Sequence, residues 1–318
     1  MRVAVTGASG FVGKAVVQQL AGNGHEVLSY ARQPPYFAST QGISSITAPE
    51  LGIHADWRFR AEDGIDVLVH AAARVHVMQD ASADPLNEFR KVNVVGTEIL
   101  ARQAALAKVK RFVFLSSIKV NGEFTEEGQA FTADDVPASR DPYGISKNEA
   151  EQLMHQISAE TGMEVVIIRS PLVYGPGVKA NFESMMRWLA HGVPLPLAAV
   201  TQNRRSLVAL DNVVNLIVTC LNHPAAANQT FLVSDDEDLS TAQLLKRMGA
   251  AMGHPARLFY LPPLLLKLGA TVLNTPDIYQ RLCGSLQVDI AKTKQLLGWT
   301  PPVSVDEGLR RAAEGFCP

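Results

Sequence analysis

The chain has 318 residues, 47% of them hydrophobic and 19% charged, with a formal net charge of −2. That length buries a sizeable core in one large domain or two unequal ones, and the interspersed acids and bases leave no electrostatic footprint for nucleic acid. Cys220, Cys283 and Cys317 are odd in number and lack CxxC spacing, which argues against a disulfide framework or a metal site and fits a reducing, cytoplasmic setting.

Arg2–Val5 reads as a buried strand, because its apolar residues are followed at once by a turn signal. No charged-then-apolar leader precedes it. Gly7, Gly10 and Gly13 come next at GxxGxxG spacing, where glycines let a backbone turn tightly, approach a pyrophosphate and pack a helix on a sheet. The helix start at Phe11 and Val12 then offers unpaired N–H groups and a partial positive charge to phosphates. This strand–turn–helix predicts a dinucleotide site, with the helix running over Gly13–Asn23.

Strands follow at Glu26–Tyr30, more weakly at Ile43–Thr47, then at Asp66–His70, Arg111–Leu115 and Val165–Arg169. Helices alternate with them over Asn87–Lys108 and Tyr143–Ala159. Continuous apolar strands alternating with helices predict an α/β fold, a doubly wound parallel sheet covered on both faces. After Arg169 the rhythm breaks, with a loop, a helix over Asn181–Ala190 and a Pro-rich stretch at Gly192–Pro196. The sheet pattern returns at Leu207–Leu210, followed by a helix from Asp211 and a strand at Thr230–Val233. Residues 1–170 with about 206–235 are thus expected to form the dinucleotide-binding domain, and about 171–205 with 236–318 a smaller C-terminal substrate lobe closing over the strand ends. Leu258–Leu273 is apolar but contains Pro262, Pro263 and Lys267. It falls short of the roughly 20 residues of a membrane span and is read as a packed C-terminal helix.

Tyr143 and Lys147 lie four apart at a helix start opened by Asp141-Pro142, so they share one face. A phenol titrates near ~10, and an ammonium one turn away is expected to lower that value. Such a phenol exchanges a proton with a carbinol or carbonyl during hydride transfer. The strand at Arg111–Leu115 runs into Ser116 and Ser117, of which Ser117 is the better candidate to hydrogen-bond the substrate oxygen.

TGASGFVG, His70–Ala73 (HAAA), SSIKVNG, YGISK and the late Arg205…Asp211 pattern together resemble the extended short-chain dehydrogenase/reductase family, over essentially the whole chain. Within it they look like the nucleotide-sugar epimerases, dehydratases and 4-keto-reductases. The resemblance implies a Rossmann domain, a nicotinamide cofactor, a homodimer, and a triad of Ser117, Tyr143 and Lys147, with Lys147 also on the nicotinamide ribose. It places Ala71, Ala72 and Ala73 behind the cofactor's sugars, Glu50 and Leu51 at the adenine, Pro171 in the cofactor site and Asn93 in support of it. Asn181 and Arg205 match positions that meet the diphosphate or sugar of a UDP-sugar. Arg205 suits phosphate oxygens through its guanidinium fork, and Asn181 also suits a helix cap. Arg281 is a second phosphate ligand or a surface charge.

Departures from the family pattern narrow the reaction. The second strand ends Tyr30-Ala31-Arg32 without the acid that bonds the ribose hydroxyls of NAD, so Arg32 points to NADP(H), with NAD(H) the alternative. Ile118 and Lys119 stand where dehydratases carry Asp-Glu, and Lys119 is free to meet a sugar oxygen or N-acetyl group, or solvent. Asn121 and Leu172 replace a tyrosine and an asparagine of many relatives. The expected activity is an NADPH-dependent 4-keto-reductase of a UDP-linked 6-deoxy-N-acetylhexosamine, in bacterial surface polysaccharide (O-antigen) biosynthesis. The alternative is an NAD-dependent UDP-hexose or UDP-N-acetylhexosamine 4-epimerase, and the remote one a non-catalytic NADP-binding redox sensor.

Overall fold

Residues 1–33, 41–75, 84–273 and 275–316 are described in the computed structural model of the chain; Cys317 lies outside them. Strands β1 (Arg2–Thr6), β2 (Glu26–Ala31), β3 (Ile43–Thr47), β4 (Val67–His70), β5 (Arg111–Ser117) and β6 (Glu164–Ser170) build one sheet. With a later strand, β9 (Gln229–Leu232), they form seven strands in the order β3-β2-β1-β4-β5-β6-β9, every neighbour pair parallel. The order reverses between β1 and β4, which opens the ligand crevice of a doubly wound fold at the carboxyl ends of those strands.

Alternation along each strand feeds two cores. Val3, Val5, Val67, Val69 and Val113 face the layer of α1 (Phe11–Gly22) and α6 (Leu210–Cys220). Ala4, Leu68, Phe112 and Phe114 face the opposite layer of α3 (Gly96–Leu106) and α4 (Pro142–Thr161). β1 and β4 are buried almost throughout because helices cover both faces of the sheet.

The helix expected over Asn87–Lys108 is three pieces. A short α2 (Pro85–Phe89) runs into a π-helical stretch, Arg90–Val95, before α3 begins. The wider turn carries Asn93 into the interior, a feature that side-chain periodicity does not reveal. α4 is well delimited: the Asp141 carboxylate caps it by accepting from the Gly144 N–H, Pro142 opens it, and Gly162 ends it at φ +75°.

Beyond β6 the chain leaves the main sheet. β7 (Leu172–Tyr174) pairs with β8 (Leu207–Ala209) in a separate two-stranded parallel sheet. The strand expected at Leu207–Leu210 forms over Leu207–Ala209, with Leu210 opening α6, but its partner is β7 rather than the main sheet, which β9 re-enters beside β6. The lobe is completed by α5 (Ala180–Ala190), α7 (Thr241–Ala251), α8 (Pro263–Val272), α9 (Pro276–Cys283) and α11 (Val305–Glu314), while α10 (Ala291–Leu297) packs beside β9 on the core of the main sheet. A buried Tyr174 holds it together by donating to Asp235 Oδ2 at 2.7 Å and stacking on Phe182. The packed helix expected within Leu258–Leu273 is also corrected. α8 forms, but none of its residues is buried; Leu266 alone of its leucines leans on the lobe core.

Candidate active site

The glycine turn sits in the crevice. Gly7 has φ +71°, and a Cβ there would lie 2.6 Å from the Ala72 nitrogen and 2.7 Å from the Ala71 carbonyl carbon. At Gly13 a Cβ would strike the Gly7 carbonyl oxygen. Only glycines let the turn stack on the Ala71–Ala73 backbone while the start of α1 packs on the turn. The Gly10 N–H donates to the Gly7 carbonyl at 2.8 Å, and no side chain caps α1, so Phe11 and Val12 open the helix toward the crevice. A Cβ-free cradle against an uncapped helix start fits the pyrophosphate of a dinucleotide. Arg32 is exposed just beyond β2, Glu50 is exposed, Leu51 is half-buried and Pro171 is buried.

Ser117 closes β5. Its hydroxyl accepts from the Lys119 N–H at 3.3 Å and hydrogen-bonds Tyr143 in the first turn of α4. The Tyr143 ring meets Phe89 edge-on at 6.0 Å. One turn later Lys147 is buried, its Nζ donating to the Leu115 carbonyl at 2.7 Å and lying 3.9 Å over the Phe114 ring. Burial pushes the Lys147 ammonium down to about 7, with Glu151 opposing.

The expectation that Lys147 lowers the phenol does not hold in this structure. Tyr143 is pushed up to about 12 by burial and then by the Asp141 carboxylate, with the Ser117 hydrogen bond opposing. The ammonium is turned toward the Leu115 carbonyl and the Phe114 face, so the phenol responds to its desolvation and to the nearer carboxylate. Asp141 is itself ion-paired with Lys119 Nζ. Lys119 is thus paired within the chain while its side chain stays 34% exposed.

Three buried networks hold this corner. Ser116, on the opposite side of β5 from Ser117, donates to Glu151, and Arg169 grips the same carboxylate with Nη2 at 2.6 Å. Arg169 also donates to Asn121 Oδ1 at 3.0 Å, which replaces the tyrosine of many relatives with a hydrogen-bond relay. Asn93 donates to Ser146 Oγ and to the Arg74 carbonyl, each at 3.0 Å, and the Ser146 hydroxyl donates to the Tyr143 carbonyl at 2.7 Å. His70 is sealed between Thr6 Oγ1 at 2.6 Å and Thr97 Oγ1 at 3.0 Å and stacks on Phe114. Burial, then the Lys147 charge, pushes His70 down to about 3 and keeps it neutral.

On the lobe side, Arg205 is bridged to Leu239 and Leu286 and donates to the Gly284 carbonyl at 3.2 Å. Its guanidinium is lowered by burial and by the charge of Arg281, so the fold brings the two arginines to one place. Asn181 is exposed on α5 and does not cap it: the N-cap is Lys179, with no side-chain bond.

The fold thus forms a Cβ-free glycine cradle, a Ser–Tyr–Lys corner and a pair of neighbouring arginines. Residues 3–234 match the model of the NAD dependent epimerase/dehydratase family. The chain belongs to this family. It is 44% identical over 99% of its length to a UDP-glucose 4-epimerase of Vibrio cholerae, covering 95% of that protein. It is 26% identical to a 2-alkyl-3-oxoalkanoate reductase of Stenotrophomonas maltophilia, covering 98% of each chain. The fold is that of a UDP-glucuronic acid 4-epimerase from Bacillus cereus solved with NAD, at TM-score 0.76 and 19% identity over 99% of this chain and 98% of that one.

Within an epimerase/dehydratase site of this kind, sequence reasoning missed Glu151, Arg169 and Ser116 as a unit. A signal was present. Glu151 continues the row of Tyr143 and Lys147 at four-residue spacing, so all three share one face of α4, and a carboxylate placed on that buried row requires a partner.

Proposed function

We propose that the chain is an NAD-dependent UDP-hexose 4-epimerase. The observation that carries this reading is the 44% identity, over 99% of the chain, to the Vibrio cholerae UDP-glucose 4-epimerase. Gly7, Gly10 and Gly13 with Phe11 and Val12 would hold the pyrophosphate, Ala71–Ala73 and Pro171 would flank the sugars and nicotinamide, and Glu50 and Leu51 the adenine. When bound there, NAD would supply hydride-transfer chemistry at sugar C4.

The protein's own task is the proton. Burial holds Tyr143 as a phenol in the unliganded chain, so it would first lose that proton to solvent; as the phenolate it would take the C4 hydroxyl proton on oxidation and give it back as the hydride returns. Ser117 shares a hydrogen bond with Tyr143 and orients the sugar oxygen beside it. The Asp141 carboxylate raises the phenol even though it is ion-paired with Lys119. Arg205 and Arg281 would clamp the diphosphate of UDP, which gives the 4-keto sugar a fixed anchor about which to turn its other face to the cofactor.

A second reading, the NADPH-dependent reduction of a UDP-linked 4-keto-6-deoxy-N-acetylhexosamine, is favoured by Arg32 beyond a β2 that ends without an acid, and by Leu172, 38% exposed at the start of β7. One experiment separates them. Purified protein is denatured and its released nucleotide identified by mass spectrometry, while a second sample is given UDP-glucose with no added cofactor. Bound NAD and UDP-galactose, seen by NMR, support the epimerase. Protein free of NAD that consumes NADPH only with the keto sugar rules it out.

A further inference from the structure

Exposed large apolar side chains are concentrated on α8 and the turn before it. Leu264 is 68%, Leu265 50%, Leu268 53% and Val272 85% exposed, and Phe259 and Tyr260 stand just upstream at 48% and 72%. Leu264, Leu268 and Val272 form one row at i, i+4 and i+8 with Leu265 beside them, and the row points away from the face where Leu266 meets the lobe core. An apolar ridge of this kind on a single chain marks an interaction surface. Its shape is a protruding helix, not a groove.

The charge around it decides the partner. No Asp or Glu occurs between Asp238 and Asp277, whereas Lys246, Arg257 and Lys267 do, in a chain whose net charge is −2; Arg247, in the same span, is ion-paired with Glu237 and Asp306. Lys267 is exposed on α8 beside the leucine row and Arg257 is exposed two residues before Phe259. A leucine row with a flanking lysine, neighbouring aromatic rings and no carboxylate is the pattern of a helix lying in a lipid interface, where apolar side chains enter the acyl boundary and cations meet headgroup phosphates. With 10 residues, α8 is about 15 Å long, half the roughly 30 Å core of a bilayer, so it lies along the surface and does not cross.

We propose that α8 docks this protein on an anionic phospholipid surface, with Leu264, Leu265, Leu268 and Val272 inserted and Lys267 and Arg257 at the headgroups. Docking rests on this ridge alone and stands or falls separately from the reaction assigned above.

Flotation tests it, with vesicles of phosphatidylcholine alone and with about one third phosphatidylglycerol. The wild-type protein should float with the anionic vesicles at low salt and less at high salt. Leu264→Gln/Leu268→Gln/Val272→Gln, on exposed positions outside the site, should bind about tenfold more weakly. Lys267→Glu should bind severalfold more weakly. Sedimentation velocity is run on the same proteins. Wild type that ignores anionic vesicles, or a triple variant that floats like wild type, overturns the proposal. So does a wild type that ignores lipid while the triple variant changes oligomeric state, which would give the ridge to a second copy of the chain.

Discussion

Lys147 and Arg205 are two cations lowered by burial, yet the fold treats them oppositely. Lys147 lies over the Phe114 ring of the interior strand β5, with the Glu151 carboxylate one turn away offsetting its burial. Arg205 has as its nearest charged influence a second cation, Arg281. The Tyr143–Lys147 corner carries its own counter-charge in Glu151. The lobe corner concentrates like charge, and under the proposed function an anion would complete it. Damage to the first should therefore appear as lost chemistry and lost stability, damage to the second as lost affinity.

The largest effect expected is at the proton. Tyr143→Phe keeps the ring against Phe89 and removes the hydroxyl, and kcat should fall by about a thousandfold or more, in the upper range for general acid–base catalysis. Steady-state rates on UDP-glucose with unchanged UDP affinity would place the loss in chemistry; a residual rate within tenfold of wild type would assign the proton to another group.

Next comes the built-in counter-charge. The Glu151–Arg169 pair is almost fully buried, at 3% and 6% side-chain exposure. Removing one partner of such a pair costs about 3–5 kcal/mol because the other charge is stranded. Glu151→Gln should lose stability on that scale in urea titrations and leave Lys147 with less support for its ammonium. A change below about 1 kcal/mol would mean that the carboxylate is not held as drawn.

The pH dependence of stability reads the same corner. His70 is depressed to about 3 from an ordinary 6.5. Between those values the unfolded chain binds a proton that the folded chain refuses. Stability present above pH 6.5 is therefore lost as pH falls toward 3, at up to roughly 1.4 kcal/mol per pH unit for one proton. Lys147, depressed from 10.5 to about 7, acts with the same sign higher up: its contribution is full above pH 10.5 and is lost as pH falls toward 7. Stability measured from pH 4 to 9 should rise with pH across each window. In His70→Gln the acid slope should flatten, and an unchanged slope would show that His70 is not the group responsible.

Much of the nucleotide half was legible because its constraints are local. The glycines of the turn are forced by backbone contacts, β3 falls on Ile43–Thr47 as its pattern predicts, and the parallel sheet follows from apolar runs alternating with helices. What escaped depends on contacts remote in sequence. β7 and β8 are three-residue strands that acquire meaning only from each other. The π stretch keeps a helical hydrophobic pattern while shifting Asn93 inward. Leucines in α8 read as core, whereas the fold leaves none of the helix's residues buried. Within the site, residue types were readable but charge partners were not: Lys119 goes to Asp141, Arg169 to Glu151, and the phenol follows its burial rather than its lysine neighbour.

The smallest expected effect is on the lobe side, where it sharpens the contrast most. Arg205→Ala removes a charge-assisted contact to a phosphate, worth about 1.5–3 kcal/mol, so UDP should bind roughly tenfold or more weakly by calorimetry. KM for the nucleotide sugar should rise with it while kcat changes little, because the proton path at Tyr143 is intact. Arg281→Ala should weaken UDP as well, and it also relieves the like-charge repulsion on Arg205. Without ligand, Arg281→Ala should therefore melt no lower than wild type, the reverse of Glu151→Gln. Added UDP should raise the melting temperature of the wild type more than that of either arginine variant, since a ligand stabilises in proportion to its affinity for the folded chain. If Arg281→Ala lowers the unliganded melting temperature and leaves UDP affinity untouched, the two arginines are structural props and the lobe corner is built like the catalytic one.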